Sequence, residues 1–264
     1  MNCKYVVPLQ PFMNAVIDIG NSRTKIVVFD GDAVAAEQSV QGHTLAHAPL
    51  LFAEHNVTDA IISSVVDLSE SLTEELSRLQ AQCALAHPIL HFNASTPIPL
   101  HNAYRTPASL GADRLAAAVG AWMQCQGKPL LIIDAGSCIT FDMVSQEGTY
   151  LGGNISPGLQ ARLRAIDDYF PRLPLVAAHG DLPELGYDTE TAIRAGVVMG
   201  MRHEIEGYIR HFASRLPDLH VYITGGDALD LTTHPDATLL TDTHLVAKGL
   251  NCILNYNIRL SQPQ

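Results

Sequence analysis

The stretch that decides the fold is AVIDIGNSRTKIVVFDG, residues 15–31. An apolar run ends on Asp18 and Gly20, polar residues follow, and a second apolar run begins. Apolar runs of this length with a glycine at the break are typical of two strands joined by a turn. We therefore predict a hairpin with strands at Ala15–Ile19 and Lys25–Phe29, and with an acid and a lysine at its turn.

The same pattern returns in the second half of the chain as LLIIDAGSCITFDMVSQEG, residues 130–148. Asp134 falls on Asp18 and Gly136 on Gly20, a spacing of 116 residues (134 minus 18). A duplicated strand, D-x-G turn and strand indicates two similar domains that face each other. The natural ligand site of such a pair is a cleft between the domains.

Helical patterns alternate with the strands. Leu72, Leu76 and Leu79 have the spacing of an amphipathic helix, and alanine-rich GADRLAAAVGAWMQC predicts another. This alternation predicts an α/β fold with mostly parallel or mixed sheets, divided into residues 14–126 and 127–258. The glycines of LGGN and TGGD are expected directly after strands, where the backbone turns or a ligand approaches closely.

The composition excludes several kinds of function. The 264 residues include 27 acidic and 16 basic ones, a net charge of -11 with no basic run, so we expect no nucleic-acid partner. No apolar run reaches the roughly 20 residues of a membrane span. Five scattered cysteines without a C-x-x-C pair indicate a reducing compartment, and we predict a cytoplasmic protein. The first 13 residues do not match a secretory signal, and no role is predicted for them.

The two turns suit a phosphate ligand. Consecutive N–H groups in a glycine-containing turn point at an anion. Asp18 can orient a hydrated Mg²⁺ against phosphates, with Lys25 as a point charge. The alternative is that Asp18 only completes an Asx-type turn. An acidic chain that binds a nucleotide must hold its phosphates mainly with backbone groups and cations.

Two such hairpins followed by a late TGGDA, residues 224–228, resemble the actin-like, Hsp70 and sugar-kinase superfamily. The resemblance implies two actin-like (ribonuclease H-like) domains that grip ATP. The implied ATP-binding residues in the first hairpin are Asp18, Ile19, Gly20, Asn21, Ser22, Arg23, Thr24 and Lys25. Those of the second half are Asp134, Gly136 and Ser137, with Gly225 and Gly226 near the base or ribose.

Further fragments narrow the resemblance: YRTPASLGADRLAAAVGA at 104–121, YLGGNISPGL at 150–159, TETAIRAG at 189–196 and HLVAKGL at 244–250. In this order the chain is similar to a type III pantothenate kinase from Ala15 to about Ile258. The resemblance implies that ATP phosphorylates pantothenate to 4′-phosphopantothenate, the first step of coenzyme A biosynthesis. It also implies a homodimer, Mg²⁺, and a monovalent cation, K⁺ or NH₄⁺.

The family's site residues carry over by position. Asp113 matches the general base and Asp134 the monovalent-cation site. The matching substrate-binding positions are Tyr104, Gly111, Ala112, Asp113, Arg114 and Thr189, the last reaching the substrate from the dimer partner. Each has an alternative: Asp113 as an ordinary helix-start acid, Arg114 as the partner of a nearby acid, and Thr189 as a helix cap.

Other assignments stay open at this stage. The chain can be a kinase for another small hydroxyl compound, or a non-catalytic ATP-binding accessory or regulatory protein of the same fold. His43 and His47, at helical spacing in HTLAHAP, are predicted to be a surface pair because no third metal ligand accompanies them. Cys138, in the second turn, is expected to be a small buried residue.

Overall fold

A computed structural model describes residues 13–227 and 234–262. Within these residues the chain forms two compact units. The first unit comprises residues 13–99, 106–123 and 246–262, and the second comprises 100–105, 124–227 and 234–245. Residues 1–12 and Ala228 of the TGGDA motif lie outside the described residues.

A five-stranded sheet forms the first unit, in the order β3-β2-β1-β4-β5. Its strands are β1 (Met13–Ile19), β2 (Arg23–Asp30), β3 (Ala33–Gln41), β4 (Asp59–Ser64) and β5 (Leu90–His91). The first three are antiparallel neighbours, and β4 runs parallel to β1. The predicted hairpin is confirmed, and the sheet is mixed.

A six-stranded mixed sheet forms the second unit, in the order β11-β10-β7-β8-β9-β6. Its strands are β6 (His101–Asn102), β7 (Leu130–Ala135), β8 (Cys138–Val144), β9 (Thr149–Pro157), β10 (His220–Thr224) and β11 (Thr238–Thr241). The hairpin of β7 and β8 repeats that of β1 and β2, and β10 runs parallel to β7 as β4 runs parallel to β1.

Helices cover these sheets. They are α1 (Ala48–Glu54), α2 (Glu70–Gln82), α3 (Ala112–Gln124), α4 (Leu159–Tyr169), α5 (Thr189–Ala213) and α6 (Leu245–Ser261), with a short 3₁₀ helix at Pro107–Ser109. The predicted leucine stripe of α2 is buried, and Ser69 caps this helix by accepting a hydrogen bond from the Leu72 N–H at 3.2 Å. None of the helices in the described residues is long and apolar enough to cross a bilayer.

The last helix belongs to the first unit. Gly249 of α6 approaches α3 so closely that a Cβ there would lie 1.8 Å from the Ala116 carbonyl oxygen. Asn14 of β1 donates to the side-chain oxygens of Asn251 and Asn255 at 2.7 and 2.9 Å. These contacts make the compact units discontinuous in sequence. The division into residues 14–126 and 127–258 follows the repeat instead and stays a prediction.

One predicted position is wrong, and one strand was not predicted. The glycines of LGGN lie inside β9 rather than after a strand, because Gly152 and Gly153 pair with Met143 and Asp142 of β8. The strand β3 follows no clear apolar alternation because it is a largely exposed edge strand. Its pairing with β2 is therefore decided by the backbone ladder and not by burial.

Candidate functional site

The first D-x-G turn closes the hairpin of β1 and β2. Ile19 lies opposite Thr24 in the register, and the Gly20 N–H donates to the Arg23 carbonyl at 2.9 Å. Three side chains at the tip are exposed, those of Asn21, Ser22 and Arg23. The turn therefore presents its backbone at the surface of the unit, as a phosphate-binding turn requires.

Asp18 lies at the end of β1, between a lysine of β2 and a serine of β4. It is half-buried, directly opposite Lys25 on β2 and level with Ser63 on β4. The Lys25 ammonium forms an ion pair with Glu37 at 3.0 Å. The predicted phosphate counter-charge is thus partly neutralised by an acid of β3.

Two of the predicted ATP-binding residues turn their side chains inward. Ile19 is fully buried in the core of the first unit, and the Thr24 hydroxyl donates to the Gly42 carbonyl at 2.9 Å. Any nucleotide contact from these two residues must use the backbone. His43 was not among the predicted site residues, yet its ring lies at this turn, with Nε2 3.0 Å from the Gly20 carbonyl oxygen.

The second D-x-G turn is one residue shorter than the first. Ala135 lies opposite Ile139, so three residues, 136–138, intervene, whereas four residues, 20–23, intervene in the first turn. The Gly136 N–H donates to the Cys138 carbonyl at 2.9 Å. The Cys138 side chain is exposed, so its prediction as a buried residue is wrong: the shorter turn ends at Cys138 and points its side chain out of the sheet.

Glycines from two distant segments pack against the second turn. A Cβ on Gly158 would lie 2.0 Å from the Gly136 carbonyl oxygen, and one on Gly225 would lie 2.2 Å from the Ala135 carbonyl oxygen. Gly225 also has φ +102°, a conformation that L side chains rarely adopt. These contacts require glycine, and they bring the TGGD segment directly against the turn.

The N-terminus of α4 lies beside the same turn. Its N-cap, Gly158, donates its N–H to the Ser137 carbonyl at 3.2 Å, and the Asp227 carboxylate accepts a hydrogen bond from the Leu159 N–H. Burial raises the pKa of the Asp227 carboxyl above its ordinary value, and this hydrogen bond acts in the opposite direction. The sequence offered one signal for this junction, the glycine after Ser-Pro, but none for Asp227.

Asp134 lies in a row of oxygen-bearing side chains. It is half-buried at the end of β7, opposite Thr140 on β8 and level with Thr224 on β10. The Thr140 hydroxyl is buried and has no hydrogen-bond partner among the described residues. No basic residue occupies the positions level with Asp134, in contrast to Lys25 beside Asp18.

The GADR segment forms the start of α3. Asp113 lies in the first helical turn, and its Oδ1 accepts a hydrogen bond from the Arg114 N–H at 2.8 Å. A Cβ on Gly111 would lie 2.6 Å from this oxygen, so the glycine leaves room for the carboxylate. Arg114, predicted to bind the substrate carboxylate, is buried with 6% of its surface exposed.

Tyr104 lies in the second unit just after β6. Its ring packs on β9 at Gly152, where a Cβ would lie 3.4 Å from Cδ2, and its centroid is 6.2 Å from that of Tyr150. The Tyr150 hydroxyl donates to Asp142 Oδ1 at 2.6 Å, and both residues are fully buried. Tyr104 therefore rests on a rigid buried platform.

Thr189 is the first residue of α5 and is exposed. The cap of this helix is Asp188, which accepts from the Thr191 N–H at 2.8 Å in a capping box, so Thr189 does not have the alternative role of helix cap. Thr189 instead lines an apolar groove of about 610 Å³ with Ile166, Phe170, Leu173, Ala192, Ile193, Gly196 and Val197.

No group of three histidine, cysteine or acidic side chains converges as a metal site in the described parts of the chain. Such a cluster is not needed for Mg²⁺ on a nucleotide, because this ion keeps several waters and binds one or two carboxylates plus phosphates. His47, an exposed residue, is the N-cap of α1 and makes no side-chain capping bond.

Comparison with known proteins relates most of the chain to type III pantothenate kinases. The model of the family described as type III pantothenate kinase matches residues 15–211. A type III pantothenate kinase of Bacteroides fragilis is 44% identical over 245 residues, which cover 93% of this chain and 98% of the relative. One of Phocaeicola vulgatus is 42% identical and covers 94% of this chain and 100% of the relative.

Solved structures support the fold. A Campylobacter jejuni protein assigned to the Baf family of transcriptional activators has a TM-score of 0.58 at 23% identity and covers 93% of this chain and 99% of its own. A Listeria monocytogenes protein assigned as an N-acetylmannosamine kinase has a TM-score of 0.54 at 16% identity, covering 95% and 100%. At these identities the likeness concerns the fold alone, and it agrees with the predicted α/β fold.

Proposed function

The chain belongs to the type III pantothenate kinase family, and we propose that it transfers the γ-phosphate of ATP to the primary hydroxyl of pantothenate. The product is 4′-phosphopantothenate, in the first step of coenzyme A biosynthesis. The observation that carries the proposal is the carboxylate of Asp113, held at the start of α3 beside Gly111, within the residues that the family model matches.

Both turns serve the nucleotide in this proposal. Backbone N–H groups at Asn21 and Ser22 of the first turn bind phosphate oxygens, and so does the N–H of Ser137 in the second turn. The exposed tip of the first turn and the glycine packing of the second support this role. The same proposal assigns Gly225 and Gly226 to the region near the base or ribose.

The acids of the turns fit two different cations. Asp134 shares one face of its sheet with the hydroxyls of Thr140 and Thr224, and hard cations take oxygen ligands, so this row suits a monovalent cation, K⁺ or NH₄⁺. Asp18 is opposite Lys25, whose charge disfavours a cation held by the protein alone. Asp18 would therefore hold Mg²⁺ through water, and the phosphates would supply the remaining charge.

Asp113 acts as the general base. Its carboxylate accepts the proton of the pantothenate hydroxyl as that oxygen bonds to the γ-phosphorus and the bond from the γ-phosphorus to the bridging oxygen of ADP breaks. The positive end of the α3 dipole stabilises the charge of Asp113 and so makes it a weak base. Weakness is acceptable because the transition state is loose and the proton leaves late. When bound, Mg²⁺ neutralises charge that develops on the phosphates.

The acceptor contacts proposed are those of Tyr104, Gly111, Ala112 and Arg114, with Thr189 supplied by the partner of a homodimer. Exposed apolar residues near Thr189 support the dimer: Phe170 is 56%, Leu185 84% and Tyr187 71% exposed. Phe170 lines the apolar groove with Thr189, and an exposed apolar groove is typical of a protein interface. Arg114 lies at the start of α3, and its planar guanidinium suits a carboxylate.

We place the reaction in the cytoplasm, with neither nucleic acid nor membrane as a partner. Four cysteines of the described residues are free thiols, Cys83, Cys125, Cys138 and Cys252, which fits a reducing compartment. A non-catalytic accessory role predicts the loss of a hairpin acid or of the base. Asp18, Asp113 and Asp134 are all present.

A coupled assay tests the proposed function. Purified protein with ATP, Mg²⁺ and K⁺ should form ADP only when pantothenate is added. Asp113→Asn should lower kcat by roughly 10²-fold or more with nearly unchanged ATP binding, because the amide cannot accept the proton. Asp30→Asn, at the exposed far end of β2, is the matched control and should keep full activity. Full activity of Asp113→Asn would remove the assignment of the base, and phosphorylation of another alcohol alone would remove pantothenate.

A further inference from the structure

His43 contacts the first turn although the proposed reaction gives it no role. Its Nε2 lies 3.0 Å from the carbonyl oxygen of Gly20 and 3.3 Å from that of Asn21. Both partners are carbonyl oxygens, which only accept hydrogen bonds, so Nε2 carries the proton and donates to both. His43 and His47 are both exposed, as predicted, but they do not share a helix face, because His43 lies before α1.

The segment that carries His43 is fixed to the same turn by its backbone. The Gly42 N–H donates to the Ser22 carbonyl at 2.9 Å, and the Gly42 carbonyl accepts from the Thr24 hydroxyl at 2.9 Å. Gly42 has φ +80°, which turns the chain sharply at the end of β3.

The other side of this segment is tied to helix α2. The Thr44 hydroxyl donates to the Glu75 carboxylate at 3.1 Å, and the Leu45 N–H donates to the same oxygen. Leu45 itself is buried in the core of the first unit. His43 is therefore supported from both sides and can hold the turn rather than follow it.

Because the peptide bond is planar, hydrogen bonds to the two carbonyls also orient the N–H groups of the same peptide units. In a trans peptide the carbonyl and the N–H of the next residue point to opposite sides. Hydrogen bonds that hold the carbonyls of Gly20 and Asn21 towards His43 thus aim the N–H groups of Asn21 and Ser22 away from it. An anion that binds the turn meets these N–H groups already oriented, and it does not have to order them.

We propose that His43 is a positioning residue for the nucleotide: its Nε2–H bonds to the carbonyls of Gly20 and Asn21 orient the first turn for the phosphates of ATP. The inference rests on the proposed function in one respect, the assignment of the first turn to ATP phosphates. It deepens that function, since Lys25 is engaged with Glu37 and the orientation of the turn comes from His43 in the segment after β3.

Equilibrium dialysis with labelled ATP, in Mg²⁺ and K⁺ but without pantothenate, measures the effect directly. His43→Ala should raise the Kd of ATP about tenfold, because two hydrogen bonds that order the turn are lost. His43→Gln places an amide N–H donor near the position of Nε2 and should restore the Kd to within about threefold of wild type. His47→Ala is the matched control, an exposed histidine four residues on that contacts neither turn, and should leave the Kd unchanged.

Steady-state kinetics and thermal unfolding separate positioning from a structural role. In His43→Ala the KM of ATP should rise with the Kd, while the KM of pantothenate and the midpoint of unfolding stay close to wild type. Unchanged ATP binding in His43→Ala, equal losses in His43→Ala and His43→Gln, or an equal rise in both KM values would each overturn the proposal. Wild-type protein that binds ATP but leaves pantothenate unmodified would overturn the proposed function and not the role of His43, which is read in ATP binding alone.

Discussion

The first D-x-G turn is held by hydrogen bonds to the segment after β3, including those of two side chains, whereas the second is held by backbone packed closely against backbone. At the first turn the Thr24 hydroxyl and the His43 ring bond to carbonyls, and a Cβ on Gly20 would meet only the Arg23 carbonyl oxygen at 3.5 Å. At the second, Gly158 and Gly225 approach the turn within distances that no side chain allows. Two copies of one sequence pattern thus depend on different residues.

The acids of the two turns also differ in their neighbours. Asp18 is opposite a lysine, while Asp134 is opposite a threonine with a buried hydroxyl. A duplicated motif can keep its phosphate-binding backbone and still diverge in electrostatics, because cross-strand neighbours come from the second strand of each hairpin. In the proposed function this difference is the reason for assigning Asp18 to Mg²⁺ on a nucleotide and Asp134 to a cation held by the protein.

The largest expected effect is on stability, when a glycine at each turn is replaced by alanine. Gly158→Ala should destabilise the second unit by roughly 3 kcal/mol, since the new Cβ overlaps backbone carbonyls that cannot move cheaply. The midpoint of thermal unfolding should fall by roughly 6–12 °C. Gly20→Ala makes only an ordinary contact and should leave the midpoint within about 2 °C of wild type. Equal midpoints for the two variants would abolish the contrast between the turns.

A smaller effect distinguishes the two acids in the kinase assay. Asp134→Asn should lower the rate about tenfold at fixed K⁺ and remove the preference for K⁺ over Na⁺, because the charged member of the oxygen row is lost. Asp18→Asn should also lower the rate, yet keep the preference for K⁺ and require more Mg²⁺ for half-maximal activity. Rates measured across K⁺, Na⁺ and Mg²⁺ titrations check this. A preserved K⁺ preference in Asp134→Asn would place the cation elsewhere.

The smallest effect concerns Asp227 beside the second turn. Burial raises the pKa of this carboxyl, so its ionisation costs stability at neutral pH, and the cost disappears below the ordinary value of 3.8. Asp227→Asn keeps an acceptor for the Leu159 N–H and should raise the unfolding midpoint slightly at pH 7. The gain should shrink as the pH approaches 3.8. A midpoint that falls at pH 7 would contradict this origin of the shift.

Asp188 provides the control of opposite sign. Hydrogen bonds from Thr191 lower the pKa of the Asp188 carboxyl, so its stabilising contribution is present above the ordinary value of 3.8 and is lost as the pH falls through the folded-state pKa. Asp188→Asn should therefore lower the midpoint at pH 7, with a difference that closes in acid.

Much of the fold was predictable because periodicity reports burial. Both hairpins, α2 with its leucine stripe and α3 with its alanines were read from local pattern, and all appear in the structure. The edge strand β3 was not, because an exposed strand has no apolar face to display. The predicted position of the β9 glycines was wrong. The sequence does not distinguish a glycine that follows a strand from one inside a strand that leaves room for an aromatic ring.

The chain's own residues, without any structure, determined two D-x-G hairpins, an acid at the start of a helix and a family to which they belong. These features are local, so their signal lies within a few adjacent residues. Only the tertiary structure decided what holds the turns. Gly225 contacts Ala135, which lies 90 positions earlier in the chain (225 minus 135). His43 contacts Gly20 because β3, a strand without an apolar pattern, pairs with β2. Contacts of this kind depend on where the sheet brings distant backbone together, and a single sequence carries no periodic signal for that.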